Sequence, residues 1–110
     1  MQFVLPALLL SISPAHAAPN ESTGSVTIKS VSNWGSGGSE ILYIRTNEPM
    51  INPALCGFSA EYFLKEETSD FSRAMVLGAK LNNTPITFVV YGNGCSDNDR
   101  PTIVNVSLPQ

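Results

Sequence analysis

Histidine is nearly absent from this chain, and the one copy, His16, stands close to the N-terminus. Once the leader described below is removed, no imidazole remains for Ser-His-Asp or Cys-His catalysis, or for a histidine-ligated metal. Charge is also sparse: Lys and Arg number 6, Asp and Glu 9, and the net charge is −3. That balance lacks the basic stripe by which proteins release counterions from nucleic acid. It offers no simple adsorption to anionic lipid either. No apolar run approaches the ~20 residues of a membrane-spanning helix. The 2 cysteines, Cys56 and Cys95, have no CxxC partner and no neighbouring imidazole, which argues against a redox or catalytic thiol. No cofactor-binding loop stands out, so the reading assigns no cofactor and no metal.

What is present starts with Phe3 to Ile12 (FVLPALLLSI), an apolar run of about ten residues, the length of a signal-peptide core. Ala15-His16-Ala17 supplies the small-x-small cleavage pattern, so cleavage is expected after Ala17. The alternative, an uncleaved apolar strand, is opposed by the prolines and the small-residue box. The remaining residues 18–110 are one domain by length, and such a domain buries only roughly 60–65% of its unfolded surface. A covalent staple would help. In an exported chain two cysteines read as one disulfide, Cys56 to Cys95, with free thiols or an intermolecular bond as the alternatives.

Residues 18–23 are polar and read as a frayed terminus. Gly24 to Val31 alternates Val26 and Ile28 with Thr27 and Lys29, the period of a half-buried strand. The glycines of Asn33 to Ser39 mark a loop. Glu40 to Thr46 is a second strand whose continuous apolar run, Ile41 to Ile44, predicts cover on both faces. Leu55 to Leu64 is read as a third, with Phe58, Ala60, Tyr62 and Leu64 on one face, and Lys65 to Thr68 as a solvated turn. The period then changes. Ser69 to Leu81 predicts a helix with Ser69 as N-cap, Phe71, Ala74, Met75 and Gly78 as its apolar face, Lys80 in the last turn and Asn82-Asn83 as a left-handed exit. Gly78 is expected to permit close packing on the sheet. Ile86 to Tyr91 and Thr102 to Leu108 are the fourth and fifth strands, joined by a long loop from Gly92 to Pro101.

The order β-β-β-α-β-β is the connectivity of an OB-fold, a five-stranded, partly open barrel with one helix between strands three and four. A different α+β sandwich with the same order is the alternative. Gly24-Ser25-Val26-Thr27-Ile28, Cys56, the helix segment Ala74-Met75-Val76-Leu77-Gly78-Ala79, the strand Asn83 to Tyr91 and Cys95 form a pattern spanning most of residues 24–108. It resembles the B subunits of AB5 toxins, in particular those of the subtilase-cytotoxin type. The resemblance implies an OB-fold, a ring of identical subunits and glycan binding.

Three residues stand out as candidate contacts. Trp34, beside the glycine-rich loop, has the ring and N–H to stack on a sugar; its other use is to plug a barrel mouth. Asp97 and Asp99, two apart in Ser96-Asp97-Asn98-Asp99-Arg100, suit sugar hydroxyls or a turn with local hydrogen bonds; the spacing of a calcium loop is missing. Tyr43, Tyr62 and Tyr91 read as core or cross-strand partners. Glu61, Glu66, Glu67 and Asp70 read as a solvated face, with nothing to fix the separation of a glycosidase pair. Two functions follow: an exported, non-enzymatic module that binds a glycan or protein through its loops, or a stand-alone exported structural or inhibitory protein with a protein partner.

Overall fold

The computed structural model describes residues 18–34, 41–65 and 68–109, apart from the side chain of Trp34. The expected leader (1–17), the glycine-rich loop (35–39), Glu40 and the acid pair Glu66 and Glu67 lie outside the described residues.

The protein is mainly β with one helix among the described residues. Strands β1 (Glu21–Val26), β2 (Ile28–Trp34), β3 (Ile41–Thr46) and β4 (Tyr62–Leu64) precede helix α1 (Asp70–Asn82), and β5 (Ile86–Val90) and β6 (Ile103–Ser107) follow it. They form two three-stranded antiparallel sheets, β1-β5-β6 and β2-β3-β4, and not a closed barrel. The expected first strand is thus two. β1 and β2 are separated by Thr27, whose backbone is held by other partners: its N–H donates to Glu48 Oε1 at 2.8 Å, and its carbonyl accepts from Asn47 N–H at 3.0 Å. This pinned bend passes the chain from one sheet to the other. The sheets meet again at an isolated parallel bridge between Phe63 and Thr102.

Strand alternation builds the core. Ile86, Phe88 and Val90 of β5, Leu42 and Ile44 of β3, Tyr62 and Leu64 of β4 and Val26 and Ile28 are buried together with Ile103 and Val106. Tyr62 is only 1% exposed, and its hydroxyl accepts the Ile51 N–H at 3.0 Å. Burial raises the phenol above its ordinary pKa, because the charged form would lose its water. Leu42, Tyr43 and Ile44 are all buried, so β3 is indeed covered on both faces.

The third expected strand is shorter than predicted. Leu55–Glu61 is irregular, and Phe58 and Ala60 are exposed. Leu55 adopts a left-handed φ of 55°, the Leu55 N–H closes a turn on Asn52, and the Phe58 N–H bonds the Asp99 carbonyl at 3.0 Å rather than a neighbouring strand. Cys56 is joined to Cys95 with a Cα–Cα separation of 5.8 Å. That crosslink and these bonds tie the segment to the loop after β5, which removes it from the sheet.

Helix α1 has the expected ends. Ser69 Oγ accepts the Ser72 N–H at 3.1 Å, Asp70 and Lys80 match the dipole, and Asn83 leaves in the left-handed conformation at φ 56°. Its buried face is not the expected one. Arg73, Val76 and Ala79 face the core, while Phe71 is 74% exposed. The helix carries two apolar stripes, and periodicity alone does not rank them. The long Arg73 side chain belongs to the inner stripe because its guanidinium donates to the Lys65 carbonyl at 2.6 Å. Gly78 does not mediate packing on the sheet, since a Cβ placed there would meet nothing within 4 Å.

No helix among the described residues is long and apolar enough to cross a membrane.

Candidate functional site

The outer face of β3 and β4 is the surface on which side chains from distant segments converge. Tyr43 and Phe63 are paired across β3 and β4, with ring centroids 5.8 Å apart. The Gly92–Pro101 loop folds down over them. Its tip is a tight turn: the Ser96 N–H donates to the Arg100 carbonyl at 3.0 Å, the Asp99 N–H to the Ser96 carbonyl at 2.8 Å, and the Arg100 N–H to Ser96 Oγ at 3.1 Å. The left-handed φ of Asp99, 61°, closes it. The disulfide anchors one side. On the other, Asn98 Nδ2 donates to the Tyr43 hydroxyl at 2.6 Å.

Arg100 is the centre of this arrangement. Its guanidinium carbon lies 4.7 Å from the Tyr43 ring centroid and 4.0 Å from that of Phe58. Arg100 Nε donates to Glu61 Oε1 at 3.1 Å, and its NH1 donates to the Asn98 carbonyl at 3.2 Å. The second oxygen of Glu61 accepts from Arg45 Nε at 3.3 Å. The Glu61 and Arg100 side chains are 12% and 18% exposed, against 51% for Arg45. Glu61 is therefore a carboxylate committed to two guanidinium groups, suited to holding the loop rather than to moving protons. A planar cation sandwiched by rings, with its fork satisfied, is a rigid support.

Beside this support runs a groove of about 960 Å³ where the free edges of β4 and β6 face each other. Its lining mixes Lys65, Ser69, Tyr91, Asp97, Val104 and Asn105, so hydroxyl, amide, carboxylate and ammonium groups surround one phenol ring. Tyr91 is 37% exposed there, a groove residue rather than a core one.

The three sequence candidates are not brought together as a set. Asp97 lines the groove. The Asp99 carboxylate lies against Gly57, where an added Cβ would collide with its Oδ2. The donor atoms of Cys56, Cys95 and Asp99 lie within 4.8 Å of one another, but both sulfurs are spent in the disulfide and neither is a thiolate for a metal. The backbone of Trp34 ends β2 opposite Ile41; its side chain lies outside the described part.

Sequence reading missed Arg100, Glu61, Phe58 and Lys65 as members of the site. Only the Arg100-Pro101 step before a strand hinted at a fixed position. Nothing in the spacing of residues 45, 61 and 100 forecasts their ion pairs. No family model matches the chain, and searches of curated proteins and of solved structures found no match.

Proposed function

We propose that this protein is an exported, non-enzymatic binding module whose groove between β4 and β6 holds a glycan. The observation that carries this reading is the composition of that groove: an accessible Tyr91 ring amid short polar side chains, Ser69, Asp97 and Asn105. A saccharide offers an apolar ring face and a rim of hydroxyls, so it needs an aromatic platform flanked by donors and acceptors. The Arg100–Glu61 support keeps the Asp97 loop in place without ligand, which lowers the ordering cost of binding.

The domain itself is proposed to be OB-like. Support comes from the bent strand that serves both sheets, the helix between β4 and β5, and the parallel Phe63–Thr102 bridge between the free edges. Loops at one end of such a fold bind oligosaccharides and oligonucleotides. The disulfide suits an oxidising compartment, periplasm or exterior, in keeping with the leader read in the sequence.

The test is retention on a surface-glycan array. Parent protein is expected to bind a limited set of sugars, and Tyr91→Ala or Asp97→Ala to lose them with the fold intact. Trp34→Ala reports whether the neighbouring loop takes part. Absence of binding to any sugar by the parent refutes the glycan reading.

A second reading, recognition of a protein, is favoured by one feature. Leu55 and Phe58 are 62% and 42% exposed beside Arg45, an aromatic-arginine composition common in protein hot spots. Capture of a partner that Phe58→Ala abolishes, with Tyr91→Ala unaffected, would select it.

A further inference from the structure

Helix α1 carries an apolar stripe turned away from the core. Phe71, Ala74, Gly78 and Leu81 recur at the spacing of one helical face, opposite the buried Arg73, Val76 and Ala79. Phe71 is 74% exposed, Leu81 84%, and the flanking Leu77 and Leu108 are 46% and 43% exposed. Between the helix and the residue after β6 lies a groove of about 330 Å³, lined by Phe71, Met75, Gly78, Thr84 and Leu108 among others. These exposed side chains amount to roughly 400–500 Å² of apolar surface, at the upper end of what a monomer leaves in water.

We infer that this face is where two copies of the chain pair, with their α1 helices antiparallel. The stripe is self-complementary. A two-fold axis near its midpoint sets Phe71 against the partner's Leu81 and Ala74 against the partner's Gly78. Bulky ends then meet bulky ends, while the small central residues let the backbones approach. Gly78 has nothing within 4 Å of a Cβ position, so the space is open to receive the neighbouring helix. The groove beside Gly78 has room for the partner's Phe71 ring.

Charge selects the orientation. Asp70 in the first turn and Lys80 in the last are both exposed and lie on the same flank of the stripe. An antiparallel pair places each Asp70 near the partner's Lys80, whereas a parallel pair would place like charges together. Such an interface buries ~900 Å² in total, in the range of weak specific association, so a micromolar dimer is expected.

Sedimentation equilibrium of the purified exported protein from about 1 to 500 μM tests this. The expected result is a monomer–dimer equilibrium whose Kd rises at least ~30-fold in Leu81→Glu and in Phe71→Asp. Both positions are exposed, so the thermal melt of the monomer should stay unchanged. Asp70→Lys and Lys80→Asp should each weaken the dimer by about threefold to tenfold, and the double variant should restore it. A monomer throughout the range, a larger ring, or a dimer indifferent to Leu81→Glu overturns the inference. Failure of the double variant to restore pairing overturns the antiparallel arrangement. None of these outcomes depends on glycan binding.

Discussion

Arg100→Ala removes the one side chain on which the site's support converges, and its cost follows from the contacts. The guanidinium stacks 4.7 Å from Tyr43 and 4.0 Å from Phe58, contacts worth ~0.5–1 kcal/mol each at a partly desolvated position. The ion pair to Glu61 at 3.1 Å joins two side chains that are 18% and 12% exposed, so it is screened less than a surface pair and contributes about 1 kcal/mol. Its loss also leaves Glu61 with Arg45 alone. A destabilisation of about 2–3 kcal/mol is expected, which lowers the melting temperature of a domain this size by roughly 10–15 °C. Arg100→Lys should fall between, at ~1–1.5 kcal/mol. An ammonium keeps the charge, but it cannot stack while donating both to Glu61 and to the Asn98 carbonyl. Urea unfolding with the disulfide intact, alongside calorimetry, measures both. If Arg100→Ala melts within ~2 °C of the parent, the cluster is surface decoration and the claim of a prestressed-free, rigid support fails. The same variant should weaken ligand retention, because Asp97 sits on the loop that Arg100 holds.

Tyr62→Phe should cost about 1–3 kcal/mol despite its similar shape, because the Ile51 N–H loses its acceptor; a neutral result in urea unfolding would mean that water replaces the hydroxyl. Opening the Cys56–Cys95 bridge, at a sequence separation of 39, should lower stability by up to about 4 kcal/mol through the freed chain entropy. Comparing urea midpoints with and without reductant checks this, and equal midpoints would refute it. The Glu48 carboxylate is held below its ordinary pKa, chiefly by the Thr27 backbone N–H and also by the Thr27 hydroxyl. A depressed carboxylate stabilises the fold above its unfolded pKa, and that contribution disappears as pH falls through the folded pKa. Glu48→Gln should therefore flatten the acid limb of the stability profile, and carbon NMR titration of Glu48 should give a midpoint below the usual glutamate value.

Much of the secondary structure was legible because it rests on local physics. The alternation in Ile86–Val90 and the continuous run in β3 announced strands, and Ser69, Asp70, Lys80 and Asn83 marked both ends of the helix. These signals act within a few residues: capping bonds, the dipole, the left-handed exit and the two-residue period of a pleat. The pairing of Cys56 with Cys95 was legible for a different reason, since two cysteines in an oxidising compartment have one intramolecular choice.

What the sequence could not decide was which of two competing surfaces the fold would bury. Helix α1 offers Phe71, Ala74, Gly78 and Leu81 on one side and Val76 and Ala79 on the other. Hydrophobicity favours the first, yet the second is inside. The choice depends on where β2 and β6 present their side chains to the helix, a long-range constraint with no local trace. Phe58 likewise fits a strand pattern, but the disulfide and the Asp99 carbonyl hold its segment away from the sheet. The site followed the same rule. Arg45, Glu61 and Arg100 become one cluster only when the loop after β5 closes over β3 and β4. The sequence by itself determined the local elements and the single crosslink; the tertiary structure decided which faces meet, because packing is a property of surfaces that chain order does not bring together.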